Sequence, residues 1–427
     1  MKVTPMKYKE QGSEQGSALI IVIWFIAIVG VIVTFLFYRN EVDWAMVVNL
    51  ETKSHFAEIA EAVLHERLGL LVKDKTDADS SKDPWYGHGR LALEQNGYQI
   101  TVIIEDEGSK PNLNTVSETG LQRIIQIVQS SNAQPDNEKK TSESQAADQN
   151  QNNQISLDPL LDWRDRNSDL RDDGAELTYY QGLNPSYKPR DGCFSSLNEL
   201  KEIKNGAKLY AVLAPEVTVY GKINPNTISG ETFVNLLNSY GEFPKSRLDT
   251  WKDEFEQYRL VKKRFETVDN LKDQPLSIML STLDEIKPLF QIKGSCNVNL
   301  ATKTNLTVIL SDAGYSDATI TTILNSRQSG PIENITDIYG SLGYSKPDEQ
   351  VHPDDYLTTT STIIHYRIWV SKGSSRYYLD TVWERQMAGL KKEWQIAPLS
   401  FQELWNNAVP EIPRVENEAN DEFEKNE

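Results

Sequence analysis

One acidic stretch carries oxygen side chains at a spacing that could hold a metal ion. Counted from Asp165, the residues Asp165, Asn167, Asp169, Asp173 and Glu176 occupy loop positions 1, 3, 5, 9 and 12, and Asp162 stands just ahead of them. That is the ligand spacing of an EF-hand calcium loop. Hard carboxylate and amide oxygens this close in sequence repel one another unless a cation sits among them, and calcium tolerates irregular geometry. Two features depart from the pattern. Leu170 stands where the turn glycine belongs, and Pro159 with Tyr179-Tyr180 argues against long flanking helices. The plainer reading is a surface turn whose charges point into water.

No other residue pattern suggests chemistry. His55, His65, His88, His352 and His365 form no pair at metal-ligand spacing, and the chain lacks a nucleophile elbow, a phosphate loop and a C-x-x-C pair. The sequence gives no support for an enzyme. Two cysteines, Cys193 and Cys296, are too few for a disulfide-dense scaffold or a cysteine zinc site. They leave one disulfide open if the chain lies outside the cytoplasm. With 44 basic and 62 acidic residues the net charge is −18, which argues against a protein that coats nucleic acid.

The elements around the acidic stretch begin with a membrane-length run. Ala18 to Tyr38 contains no charged residue, and Ile21 lies near its start. At about 1.5 Å per residue such a run crosses the roughly 30 Å hydrocarbon core. Lys2, Lys7 and Lys9 precede it, so the N-terminus is expected in the cytoplasm and the bulk outside. Beyond it, Phe56, Ile59, Ala60, Val63, Leu64, Leu68 and Leu71 recur at helical spacing. The pattern predicts one helix from about Ser17 to Lys73, apolar all round in its first half and amphipathic in its second. Two hairpins supply a partner for the amphipathic half. One spans Arg90 to Glu105 around Asn96-Gly97, and the other spans Ser361 to Arg385 around Lys372-Gly373-Ser374-Ser375.

Between the hairpins lies a large insert with a weak internal repeat. Pro111 to Thr115, Ile223 to Thr227 and Asn297 to Thr302 each place an Asn-x-Asn turn before a Ser or Thr cap and an apolar helical run. A duplicated helical unit is expected. The sharper alternative is a helix-hairpin-helix that grips DNA in a membrane-anchored uptake protein, but no basic patch accompanies the turns. Ser130 to Ser156 and the acidic end from Pro410 to Glu427 hold too few apolar residues to bury a core. The expected organisation is α+β: a long N-terminal helix, transmembrane in its first half, packed on a small antiparallel sheet, with a large inserted α-helical domain. Its parts are a leader at 1–16, the helix and first hairpin at 17–108, the insert at 109–352 with a disordered stretch at 130–156, the second hairpin at 353–400 and a disordered acidic tail at 401–427.

Gln15-Gly16-Ser17-Ala18-Leu19-Ile20, at the cytoplasmic edge of a membrane helix, resembles a type IV prepilin peptidase site. Prepilins normally carry glutamate five residues into the mature chain, where this sequence has Ile21. Its absence marks one branch, the type II secretion minor pseudopilin K family. Asp106-Glu107 before Asn112 to Thr115, the run Asp162 to Tyr180, Phe194 to Leu200, and Tyr220-Gly221 before Ile223 to Thr227 resemble further motifs of that branch in the same order. The resemblance implies a pilin-like core, cleavage between Gly16 and Ser17 with methylation of the new amine, and a helical insert with bound calcium. It also implies a place in the bacterial inner membrane and at the tip of a periplasmic pseudopilus beside minor pseudopilins I, J and H, with no nucleic-acid partner.

Overall fold

The computed structural model describes residues 14–132, 155–241, 243–276, 280–344, 351–388 and 393–413. Helix α1 runs from Glu14 to Lys73, as its periodicity predicts. Its apolar first half is bare: Ile21 is 68% exposed and Tyr38 66%, and none of the most apolar window is buried within the protein. The helix is long and apolar enough to cross a membrane. In the second half Phe56, Ala60, Leu64, Leu68 and Leu71 are buried, with Ile59 and Val63 on the shoulders of the same stripe.

That stripe packs on one face of a sheet. The strands are β1 (Arg90–Gln95), β2 (Tyr98–Asp106), β3 (Cys296–Asn297), β4 (Leu357–Thr358), β5 (Ile363–Lys372), β6 (Ser375–Ala388) and β7 (Glu393–Trp405). The main sheet has the order β1-β2-β5-β6-β7 and is antiparallel throughout. Ile100, Val102, Ile104, Ile364, Tyr366, Ile368 and Val370 meet α1 and form one core with it. Both expected hairpins are present. Asn96 and Gly97 take φ of 53° and 77°, the left-handed pair that a two-residue hairpin turn requires.

The last strand departs from expectation. The tail was expected to begin at 401, yet β7 continues to Trp405, whose ring meets Phe56 at 5.2 Å. Pro398 disguises this strand in the sequence, because proline cannot donate to a sheet ladder. Here the ladder slips between Val382 and Trp383, so that Ser400 and Pro398 are their partners and Leu399 is the extra residue. A bulge on an edge strand accommodates the proline. Residues 406–413 then lead back over the sheet, where Trp369 Nε1 donates to the Pro410 carbonyl at 3.0 Å and Arg90 to that of Pro413 at 3.0 Å. Most of the expected leader (1–13), most of the polar stretch (133–154) and the rest of the tail (414–427) lie outside the described residues.

The insert is three modules in a row. In each, the incoming and outgoing segments pair in parallel: Asn112 with Thr218, Ile223 with Phe290, and β3 with β4. Leu357–Thr358 therefore belongs to the third module and not to the second hairpin. The modules have separate apolar cores, centred on Leu121 and Leu160 in the first, Phe233 and Phe255 in the second, and Leu306 and Ile320 in the third, with Val308 of the third module's helix Lys303–Asp312 packed into the first.

The expected repeat is visible atom by atom. The Oδ1 of Asn112, Asn224 and Asn297 accepts the backbone N–H two residues on, at 2.9 Å in all three. The second asparagine of each turn, Asn114, Asn226 or Asn299, then clamps a distant residue with both ends of its amide. It donates to the carbonyl and accepts from the N–H of Phe194, Phe265 and Ile332 respectively. Arg164 and Arg327, from a later helix of their modules, each donate to the carbonyls one and four residues past the first asparagine. Arg259 makes the second of these bonds. Ser229 and Thr302 cap the helices Gly230–Tyr240 and Lys303–Asp312 as expected, and Ser117 Oγ accepts from Gly120 N.

A candidate metal corner at the first module junction

The acidic stretch begins inside the helix Asp158–Arg164, which buries Leu160, Leu161 and Trp163 in the first core. Asp162 is fully buried on the same helix. Its Oδ2 accepts the Ala175 N–H at 2.9 Å and its Oδ1 the Arg171 guanidinium at 2.5 Å. The chain passes so close that a Cβ on Gly174 would lie 1.9 Å from Asp162 Oδ2. Only glycine fits there.

The loop then turns on its own side chains. Asp165 Oδ1 accepts the Asn167 N–H and Asn167 Oδ1 that of Asp169, two successive Asx-turns. Arg171 Nη1 lies between Asp162 and Asp165, 2.8 Å from the latter. Asn167, Asp169 and Asp173 are exposed, and Asp173 pairs with Lys204 at 2.8 Å. The twelve-position spacing thus does not converge as a whole. Asp162, Asp165 and Glu176 come together, while the other three face outward, because the first half of the loop spends its oxygens on its own backbone.

A residue that the spacing does not reach completes the inner group. Asp191, held at φ 49°, adds its field to Glu176 and feels that of Asp165. Burial pushes the Glu176 carboxyl up to about 7, reinforced by Asp162, Asp191 and Asp165, and burial also raises that of Asp191. Glu176 Oε1 and Asp191 Oδ1 are both buried without a hydrogen-bond partner. Orphaned carboxylate oxygens facing like charge are what a hard divalent cation would relieve, so Asp162, Asp165, Glu176 and Asp191 fit calcium.

The tightest gatherings of three metal-capable side chains among the described residues lie elsewhere, and each already holds a cation. Asp74, Asp79 and Asp83 surround Arg385, which is buried. Glu105, Glu107 and His365 surround Lys110, 3.0 and 2.9 Å from the two glutamates. His365 is thus part of a buried charge cluster around Lys110. The two cysteines are not brought together. Cys193 donates its N–H to Ser239 and Cys296 lies in the third module's core, both as free buried thiols. In each Asn-x-Asn turn both ends of the second asparagine's amide are spent on protein backbone.

Comparison with known proteins bears on the first module. Residues 109–222 match the family model described as type II secretion system protein K. The match takes in the whole first module, from its incoming segment to its outgoing one, and all but the last of the motifs that carry the resemblance after Asp106-Glu107. A curated relative, type II secretion system protein K of Aeromonas hydrophila, is 36% identical over 89 residues, 19% of this chain and 27% of that protein. The chain thus aligns with only about a quarter of that relative's length. A solved structure, the GspK-GspI-GspJ complex of the enterotoxigenic Escherichia coli type 2 secretion system, is 12% identical. It covers 83% of this chain and 96% of its own, with a TM-score of 0.43.

Proposed function

We propose that this chain is a minor pseudopilin of a type II secretion system, a structural protein without catalytic activity. The observation that carries the reading is a segment that matches the protein K family model, set into a core made of an uncovered apolar helix and an antiparallel sheet. In this reading the bare half of α1 lies in the bacterial inner membrane as a single span, with the three lysines before it on the cytoplasmic side. Prepilin peptidase cuts between Gly16 and Ser17, and the new amine is methylated.

The chain caps the periplasmic pseudopilus and helps initiate its assembly. In a fibre body each mature amine lies among apolar helices, where an unpaired charge is costly. Ile21 cannot neutralise it, and the three-module insert would collide with a subunit stacked above. Both objections vanish at the tip. Beyond the membrane run, Val42, Met46 and Leu50 remain uncovered. They offer α1 a lateral contact for minor pseudopilins I, J and H; I and J are the partners named for the solved K protein. Bound calcium at Asp162, Asp165, Glu176 and Asp191 would neutralise the corner and fix the loop.

Co-purification of the full chain with minor pseudopilins I and J from its native host, with label at one end of assembled fibres, is the expected result. Label spread along the shaft, or peptide mapping that finds residues 1–16 still attached, would overturn the reading. For the metal, a chelator should lower the melting temperature, and calcium should restore it.

A further inference from the structure

The corner lies on the boundary between the first and second modules. Two of its four carboxylates are followed directly in the chain by residues that grip the second module. Next to Asp165, Arg166 reaches across to Asp249 of the helix Lys245–Lys262 at 2.9 Å and Glu231 of the helix Gly230–Tyr240 at 3.6 Å. Its side chain is only 14% exposed. Glu231 is braced in turn by Lys252 at 2.6 Å. After Asp191, the Cys193 N–H donates to Ser239 Oγ at 2.7 Å, and that hydroxyl bonds the Asn235 carbonyl at 3.0 Å. Gly192 lies so close that a Cβ on it would stand 2.6 Å from the same oxygen.

We infer that cation binding in this corner acts as a latch that fixes the second module against the first, an inference that rests on the calcium reading above. The four carboxylates start apart: no three of them bring ligand atoms within 4.8 Å of one another, as the two cation-filled clusters do. Drawing them onto one ion must shift the 165–166 and 191–193 backbone. The half-buried Arg166 guanidinium and the Ser239 bond carry that shift into the ends of both second-module helices. Asp162 is fixed on its own helix and serves as the anchor. Coupling of this kind is reciprocal, so the grip on the second module must also strengthen cation binding.

The test uses the full chain in detergent, with calcium chloride as the probe. Hydrogen exchange is followed by peptide, and calcium affinity by calorimetry. In the wild type, calcium should slow exchange in residues 162–176 and also in 230–240 and 245–262. Arg166→Ala should abolish the slowing in the second module, keep it in the loop, and weaken calcium binding five- to tenfold. Asp249→Asn together with Glu231→Gln cuts the same link from the far side without touching the loop, and should do likewise if the first variant folds poorly. Calcium binding that protects only the loop, or variants that match the wild type, would overturn the latch and leave the calcium reading standing. No calcium binding by the wild type would remove both.

Discussion

The side-chain amide of Asn297 donates to the Ser361 hydroxyl at 2.9 Å, joining the third module to the sheet. Ser361 Oγ passes the bond to Asp106 at 2.7 Å, and its N–H goes to Asp79 at 2.6 Å. Arg385 closes the ring. It contacts Asp79, donates to the Ser361 carbonyl at 3.1 Å, and lies over Trp394. The end of α1, the sheet and the insert therefore share one buried ionic knot. Burial lifts the Asp79 carboxyl to about 7 even though Arg385 pulls the other way. Arg385→Ala should cost about 3–5 kcal/mol in urea unfolding, because it leaves the acids of the knot buried without their cation. A loss under 1 kcal/mol would mean that the knot is solvated.

The repeated clamp predicts matched effects in separate modules. Arg327→Ala frees the carbonyls of Val298 and Ala301, and Arg164→Ala those of Leu113 and Val116. Each should destabilise its own module by about 1–3 kcal/mol, the usual cost of stranding a buried partner. Hydrogen exchange should show the loss confined to residues 295–344 for the first variant and to 110–218 for the second. Loss spread evenly over all three modules would show that they are not separate cores.

Much of this architecture was legible. The α1 stripe and both hairpin turns follow from periodicity and from Asn-Gly chemistry, which act over a few residues. The three Asn-x-Asn turns could be found because the first asparagine bonds its own neighbour. What each second asparagine clamps could not, since Phe194 lies 80 residues from Asn114. Asp191 escaped for the same reason: it approaches Glu176 through the fold and not through a spacing rule. The outward turn of Asn167, Asp169 and Asp173 is the reverse case. There the spacing is right, but local Asx-turns outcompete convergence. β7 was hidden by Pro398, a residue that forbids an inner strand and permits a bulged edge.

Closure of the third module depends on a glycine. Gly294 donates its N–H to the Asp354 carbonyl at 2.7 Å where the incoming and outgoing segments meet. A Cβ there would stand 2.0 Å from the Tyr356 carbonyl carbon and 2.2 Å from the Leu357 nitrogen, and backbone cannot step aside as a side-chain tip can. Gly294→Ala should therefore open the β3–β4 pair and lower stability by roughly 2–4 kcal/mol, within the range of severe packing errors. Gly340→Ala, in the same module with nothing within 4 Å of its Cβ position, is the control and should be nearly neutral. Equal melting temperatures for the two variants would contradict the close approach.

The last prediction concerns pH. His365 lies between two carboxylates, with Asp380 2.8 Å from Nε2 and Glu107 3.4 Å from Nδ1. Burial pulls the imidazolium down, but hydrogen bonds and charge from Asp380 and Glu107 outweigh it and lift the group to about 9, against an ordinary 6.5. A raised folded-state value means that the folded chain binds the proton more tightly than the unfolded chain does. The stabilisation is therefore complete below about pH 6.5 and is lost as the pH climbs through 9. Its full size is on the order of 3 kcal/mol. Lys110 stays protonated across this window, since burial is outweighed by Glu105 and Glu107 and the ammonium is held above its ordinary range. Asp79 and Glu176, both raised to about 7, lose protons at the bottom of this window, so the His365 share is the part of the loss that a substitution at His365 removes. Urea midpoints should fall between pH 6.5 and 9 for the wild type, whereas His365→Gln should start lower and fall less steeply, most clearly between pH 8 and 9. An identical slope in that variant would move the titration to another group.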